Sequence, residues 1–197
     1  MGTILSPRQR LLDAAYELFS QRGVQAVGID AIVDRSGVAR QTLYRHFGSK
    51  QDLVIAFLDE REQQWTLGWL RAEVEARTDD PVQRLLAIFD VFDGWFREAG
   101  FEGCSFINVL LEHPGKDDPV RLASIDHLER IRSFLVENAR AAGVEDADGF
   151  ARRWHILMKG SIVAAGEGDR EAAHRAQAMG RLLLAEHGLL APDALPR

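Results

Sequence analysis

The sequence predicts an all-α protein. Three observations carry that prediction: proline and glycine fall between long amphipathic stretches, apolar residues recur at helical spacing, and no stretch sustains period-two alternation. With 197 residues and 46% apolar content, the chain can bury a core without staples, as one large domain or a small one joined to a larger one.

The first helix opens at Ser6-Pro7-Arg8-Gln9. Ser6 can cap it, Pro7 suits the first helical position and Gln9 can close a capping box. Leu11, Leu12, Ala15, Leu18 and Phe19 mark its apolar face, and it should end near Gly23. A short second helix from about Ile29 to Arg35 turns Ile29, Ile32 and Val33 inward, and Gly37 stands where a left-handed cap needs glycine. The third begins after Val38, with Leu43 and Phe47 on its buried face. At about 100° per residue, Gln41 and Arg45 then point away from Leu43 and Phe47, with Thr42 and Tyr44 on the flanks.

The pattern Ser49-Lys50-Gln51-Asp52 opens a long helix expected to reach about Arg77. The break Thr78-Asp79-Asp80-Pro81 ends it, and Pro81 restarts helix with Val82, Leu85, Leu86, Phe89, Phe92 and Phe96 along one side. Asp118-Pro119 is another start, and further helices should cover about 148–165 and 169–187. No internal repeat or low-complexity linker is visible.

Charge divides the chain. Residues 1–50 hold seven Lys/Arg against four Asp/Glu, net +3, whereas the remainder holds 17 against 26, net -9. A positive N-terminal unit can approach a polyanion while a negative body is repelled from it. The lone Cys104 excludes an intramolecular disulfide framework and a multi-cysteine metal site, and fits a reducing, cytoplasmic compartment. No apolar run approaches the length of about 18 residues that spans a bilayer, so no membrane partner is expected. The opening Met1-Gly2-Thr3-Ile4-Leu5-Ser6 matches a loose myristoylation pattern of a kind that recurs by chance.

Two short helices joined by a tight glycine-containing turn, the second showing glutamine and arginine outward, match the helix-turn-helix design for the major groove of double-stranded DNA. Residues 1–50 are therefore read as a DNA-binding domain and 51–197 as a second domain. A solvated face on an ordinary bundle is the bland alternative. The local charge reversal and the cluster Arg40, Gln41, Thr42, Tyr44, Arg45, His46 and Lys50 weigh against it.

The run Phe19 to Gly23, the segment Ile29 to Val38 and the stretch Thr42-Leu43-Tyr44-Arg45-His46-Phe47-Gly48-Ser49-Lys50 resemble the DNA-binding domain of TetR-type transcriptional regulators, over roughly residues 8–55. The resemblance implies a homodimeric, ligand-responsive repressor of about nine helices on a palindromic operator. It also implies that Thr42, Tyr44, His46 and Lys50 hold phosphates, while Arg40, Gln41 and Arg45 reach base edges. Two positions depart from the pattern: Gly28 replaces a capping threonine and Ala39 a serine, so Arg8, Arg10 or backbone N–H groups are expected to substitute.

The segment from Gly103 to Glu112 is similar to a Gly-Cys-x-x-x-Asn-x-x-x-Glu pattern of one TetR branch, with Cys104, Asn108 and Glu112 four apart. On residue chemistry alone these are a small buried residue and local backbone partners. Trp65, Trp69, Phe92, Trp95, Phe96, Phe101 and Phe106 are either plain core or the wall of a ligand cavity. The family likeness favours a pocket for a small effector, with Cys104, Asn108, His127, His155 and Ser161 as further candidates. Ile156, Gly160, Val163, Ala164, Ala172, Ala176, Met179, Gly180 and Leu183 are core in a monomer; by resemblance, the last two helices instead pair with their symmetry mates.

An enzyme is not expected. Glu171-x-x-His174 lacks the second copy a di-iron bundle needs, and no nucleophile elbow, P-loop or dinucleotide fingerprint occurs, Gly166-Glu167-Gly168 lacking a third glycine. No cofactor or metal is implied. The rival of a different class is a helix-turn-helix protein acting mainly through protein contacts.

Overall fold

The computed structural model describes residues 5–190, so Met1 to Ile4 of the opening pattern lie outside the described residues. Helix α1 (Pro7–Arg22) begins as its sequence dictates: Pro7 occupies the first turn and Ser6 Oγ accepts the Gln9 N–H at 3.2 Å. Helices α2 (Ile29–Ser36) and α3 (Arg40–Phe47) follow, and neither Gly28 nor Ala39 supplies a side-chain cap. Gly37 takes φ 62° and ψ 25°, the left-handed cap expected of it, and its N–H donates to Val33 O at 2.9 Å. Of the three inward residues expected in α2, Ile32 is buried while Ile29 and Val33 are half-buried. Ser36 completes that face, its hydroxyl donating to Val33 O and accepting from the Val38 N–H, both at 3.2 Å.

Helix α4 (Lys50–Arg61) starts at Ser49, whose Oγ accepts the Asp52 N–H at 3.1 Å. The regular α-helix expected from Lys50 to Arg77 is not what forms. Glu62–Arg71 is π-helical, and α5 (Ala72–Arg77) resumes the α form. The wide i→i+5 turns hold Thr66 and Gly68, both poor helix formers, and no 3.6-residue periodicity announces them. Then come α6 (Pro81–Phe96), α7 (Ser105–Glu112), α8 (Pro119–Ala141), α9 (Ala147–Gly166) and α10 (Ala172–Glu186). The last was expected from Asp169. Asp169 Oδ1 instead accepts the Glu171 N–H at 2.9 Å in a turn after Gly168, and helix begins three residues later. With Lys50–Arg77 counted as one run, the described residues form nine helices and no strands.

Packing divides the chain elsewhere than at residue 50. One unit comprises the residues up to Gln63 together with Cys104–Leu128; the other comprises Gln64–Gly103 and the residues from Glu129 onward. In the first, Leu11, Ala15, Ile32, Leu43, Leu53 and Phe57 are buried, and Phe57 lies edge-on to Tyr16 and Phe19 at 5.6 and 5.5 Å. In the second, α10 packs on α6 and α9. Gly180 makes that approach possible, since a Cβ there would lie 2.8 Å from the indole of Trp154, itself stacked on Phe150. Gln177 Nε2 ties α10 to α6 through Leu86 O and Asp90 Oδ1.

His155 is buried in α9, and its Nδ1 has no hydrogen-bond partner among the described residues. Burial, and secondarily Lys159 and Arg132, lower its pKa from 6.5 to about 3. The unfolded chain therefore binds a proton at this ring that the folded chain refuses between about pH 6.5 and pH 3, so stability falls as pH falls through that window, by up to about 1.4 kcal/mol per pH unit. Urea unfolding at pH 7.5 and 5.5 should show a smaller acid loss for His155→Leu than for wild type; equal losses contradict the assignment.

Candidate nucleic-acid interface

Helix α3 is held by its apolar side. Leu43 and Phe47 are buried, α3 contacts α1, α2 and α4, and the guanidinium of Arg8 lies 5.2 Å from the centre of the Phe47 ring. With that side fixed, Arg40, Gln41, Tyr44, Arg45 and His46 are exposed and Thr42 is half-buried, as helical spacing requires. Tyr44 is 44% exposed.

The cations of this face differ in their present partners. Arg40 pairs with Asp30 of α2. Arg45 makes no ion pair among the described residues, leaving its planar fork of donors exposed. Lys50 is turned inward: Nζ donates to Val24 O at 2.7 Å, and burial, opposed by the carboxylate of Glu112, lowers its pKa from the ordinary value. An ammonium carries three donors, so this bond leaves two for phosphate. The arginines expected to replace the missing caps are engaged elsewhere, Arg8 over Phe47 and Arg10 Nη2 donating to Ser36 O at 2.6 Å. Gly28 has nothing within 4 Å of where a Cβ would stand, so the absence of a capping side chain there is not enforced by crowding.

Sequence reasoning missed the contacts that fix the turn between α1 and α2. Glu112 Oε2, at the end of α7, accepts the Gln25 N–H at 2.7 Å. The adjacent His113 donates from Nδ1 to Asp118 at 2.9 Å, which leaves Nε2 to accept from the Gln25 side chain at 3.3 Å. This bond from His113 is the first cause of the lowered pKa of Asp118, whose other oxygen caps α8. Only the Glu at the end of the Gly-Cys-x-x-x-Asn-x-x-x-Glu pattern hinted at any of this.

The residues expected around an effector are split between the two units. In the second, Trp65, Trp69, Phe92, Trp95, Phe96 and Phe101 form one cluster, with Trp65 and Trp95 centred 4.9 Å apart and Phe101 edge-on to Trp95 at the same distance. His155 belongs to that unit, and Ser161 there donates to Met158 O. In the first, Cys104 and Phe106 are buried, and Phe106 stacks on His127 at 4.9 Å. Glu62 and His127 are each 2% exposed; His127 Nδ1 lies 3.1 Å from Glu62 Oε2 without hydrogen-bond geometry, and the far ring nitrogen lies 3.3 Å from Asp59 Oδ1, so these contacts are ion pairs only when the ring is protonated. Asn108 is exposed, because α7 turns Phe106 and Val109 inward and 108 falls on the other side.

Of the residues expected at a dimer interface, Ile156, Val163 and Met179 are 67%, 53% and 56% exposed, Gly160 is exposed, and Ala164 and Leu183 are half-buried. Ala172 and Ala176 are buried within the unit, where α10 meets its neighbours, and line a groove of ≈ 300 Å³ shared with Ile156, Gly160 and Met179. Glu171 and His174 pair with each other at 3.0 Å, and no cluster able to hold a metal occurs among the described residues.

Residues 11–57 match the family described as bacterial regulatory proteins, tetR family. The chain is 30% identical over 165 residues to the HTH-type transcriptional regulator AcrR of Shigella flexneri, covering 79% of this chain and 74% of that one. It is 41% identical over 85 residues to the HTH-type transcriptional activator FasR of Mycolicibacterium smegmatis, covering 43% of this chain but only 38% of that protein's length. SCO4454, a TetR-family transcriptional regulator from Streptomyces coelicolor, superposes with a TM-score of 0.81 at 29% identity, covering 92% of this chain and 95% of the other.

Proposed function

The chain belongs to the TetR family of bacterial transcriptional regulators, and we propose that it is a homodimeric repressor that a small, largely apolar ligand releases from a palindromic operator. One observation carries the reading: α3 buries Leu43 and Phe47 and so presents Gln41 and Arg45 to the outside. Glutamine and arginine are the side chains whose bidentate geometry matches adenine and guanine edges in the major groove. Arg45 and Gln41 read bases, joined by Arg40 once it leaves Asp30, while Thr42, Tyr44, His46 and Lys50 hold the backbone. Occlusion of a promoter asks nothing of the protein beyond binding, whereas activation needs a further surface for polymerase. Repression is therefore the simpler reading of this site.

One reading head cannot occupy both halves of a palindrome, and the exposed Ile156, Gly160, Val163 and Met179 supply an apolar face for a second copy. The ligand is assigned to the buried ring cluster of Trp65, Phe92 and Trp95, on the apolar character of these side chains. Lys50 begins the helical run that carries Trp65 and Trp69, so the chain itself joins phosphate contact to ligand contact. A ligand that favours the DNA-incompetent state must bind less tightly once operator is present, by the same factor by which it weakens DNA.

Arg45→Ala should lose about 1–3 kcal/mol on a specific duplex and relax its sequence preference, whereas Lys50→Ala, which also removes the bond to Val24 O, should weaken random as well as specific duplexes and flatten the salt dependence. Titration of labelled duplexes across salt concentrations separates these outcomes, and equal loss on specific and random duplex for Arg45→Ala removes it from base reading. Ile156→Asp or Gly160→Asp should yield monomers by light scattering. A dimer surviving both places the interface elsewhere.

A further inference from the structure

The Val24–Gln25 peptide group is gripped at both ends by opposite charges. Its carbonyl oxygen accepts from Lys50 Nζ and its N–H donates to Glu112 Oε2, each at 2.7 Å. The carboxylate reaches this position because residue 23 is glycine: a Cβ there would lie 2.7 Å from Glu112 Oε1, and the backbone takes φ 78°. Glu112 is held in turn at the end of α7, where Arg121 Nη1 donates to Leu110 O at 3.2 Å and His113 O at 3.1 Å. The gripped peptide lies in the turn that leads from α1 into α2, and α2 packs on α3.

We infer that Glu112 is a positioning residue for operator binding, fixing the Val24–Gln25 peptide opposite Lys50 so that α2 and α3 are presented in one arrangement. The inference rests on the reading of α3 as the DNA-contacting helix. A turn that is not fixed beforehand must be ordered when DNA binds, and that cost falls on specific complexes, whose contacts require a single register. Non-specific binding follows charge instead.

The two effects of losing Glu112 have opposite signs, which makes the inference testable. Removing a negative charge beside Lys50 tightens binding to every duplex if charge alone matters; removing the acceptor loosens binding to the specific one if position matters. The probe is a duplex enriched by the wild-type protein from a randomised pool, titrated beside a scrambled duplex of the same length, with the full-length chain. Glu112→Ala should bind the enriched duplex roughly tenfold more weakly, as for loss of a hydrogen bond to a charged group, and the scrambled duplex no more weakly than wild type. Glu112→Gln, which keeps an acceptor for the Gln25 N–H and drops the charge, should bind the enriched duplex at least as tightly as wild type. Glu112→Leu replaces the alanine variant if that one does not fold. Unchanged or tighter binding of the enriched duplex by the alanine or leucine variant overturns the inference, as does a glutamine variant no better than alanine. A wild-type protein that does not distinguish the two duplexes refutes the DNA-binding reading itself, and the inference with it.

Discussion

Burial of Leu43 and Phe47 is the contact on which the reading head depends. An isolated helix shorter than about 12–15 residues is marginal in water, and α3 has eight, so its helical form is lent to it by α1, α2 and α4. The same burial fixes the rotation of α3 about its axis. With two residues four apart facing inward, Gln41 and Arg45 have no other direction than outward. Removing the Leu43 side chain would therefore cost both packing, about 2–5 kcal/mol for a buried leucine, and the orientation of every side chain on the opposite face.

The polar groups around this helix show how loosely it is tied to its own protein. The Arg40–Asp30 and Arg35–Glu17 pairs are exposed, and pairs of that kind contribute about 0–1 kcal/mol, so Arg40 exchanges Asp30 for a nucleic acid at little cost. Among the described residues Arg45 has no such pair to break. The bonds at the α1–α2 turn are of another kind, because they join charged side chains to a backbone peptide group that cannot move away. They lend the head rigidity where it has no side-chain caps, at Gly28 and Ala39.

Much of this was legible in the sequence, wherever a rule is local. Ser6 and Ser49 cap the helices they precede, Pro81 and Pro119 open theirs, Gly37 takes its left-handed conformation, and the inward and outward faces of α3 follow from residue spacing alone. What failed to show depends on contacts between distant residues. Glu112 meets Gln25 across 87 positions, Lys50 meets Val24 across 26, and Gly180 is small because Trp154 lies beside it. The π-helical stretch also escaped, since its hydrogen-bond register leaves no mark in a pattern read at 3.6 residues per turn. Ala172 and Ala176 show a related limit of pattern reading: small side chains signal close approach without saying whether the neighbour belongs to the same chain or to a second copy.

The most direct measurement is selection of duplexes from a randomised pool by the purified full-length protein. Two copies of α3 related by a two-fold axis should enrich an inverted repeat whose half-sites are centred about 34–36 Å, or a multiple of that, apart. A pool that stays unenriched, or that converges on a single asymmetric element, would contradict the account.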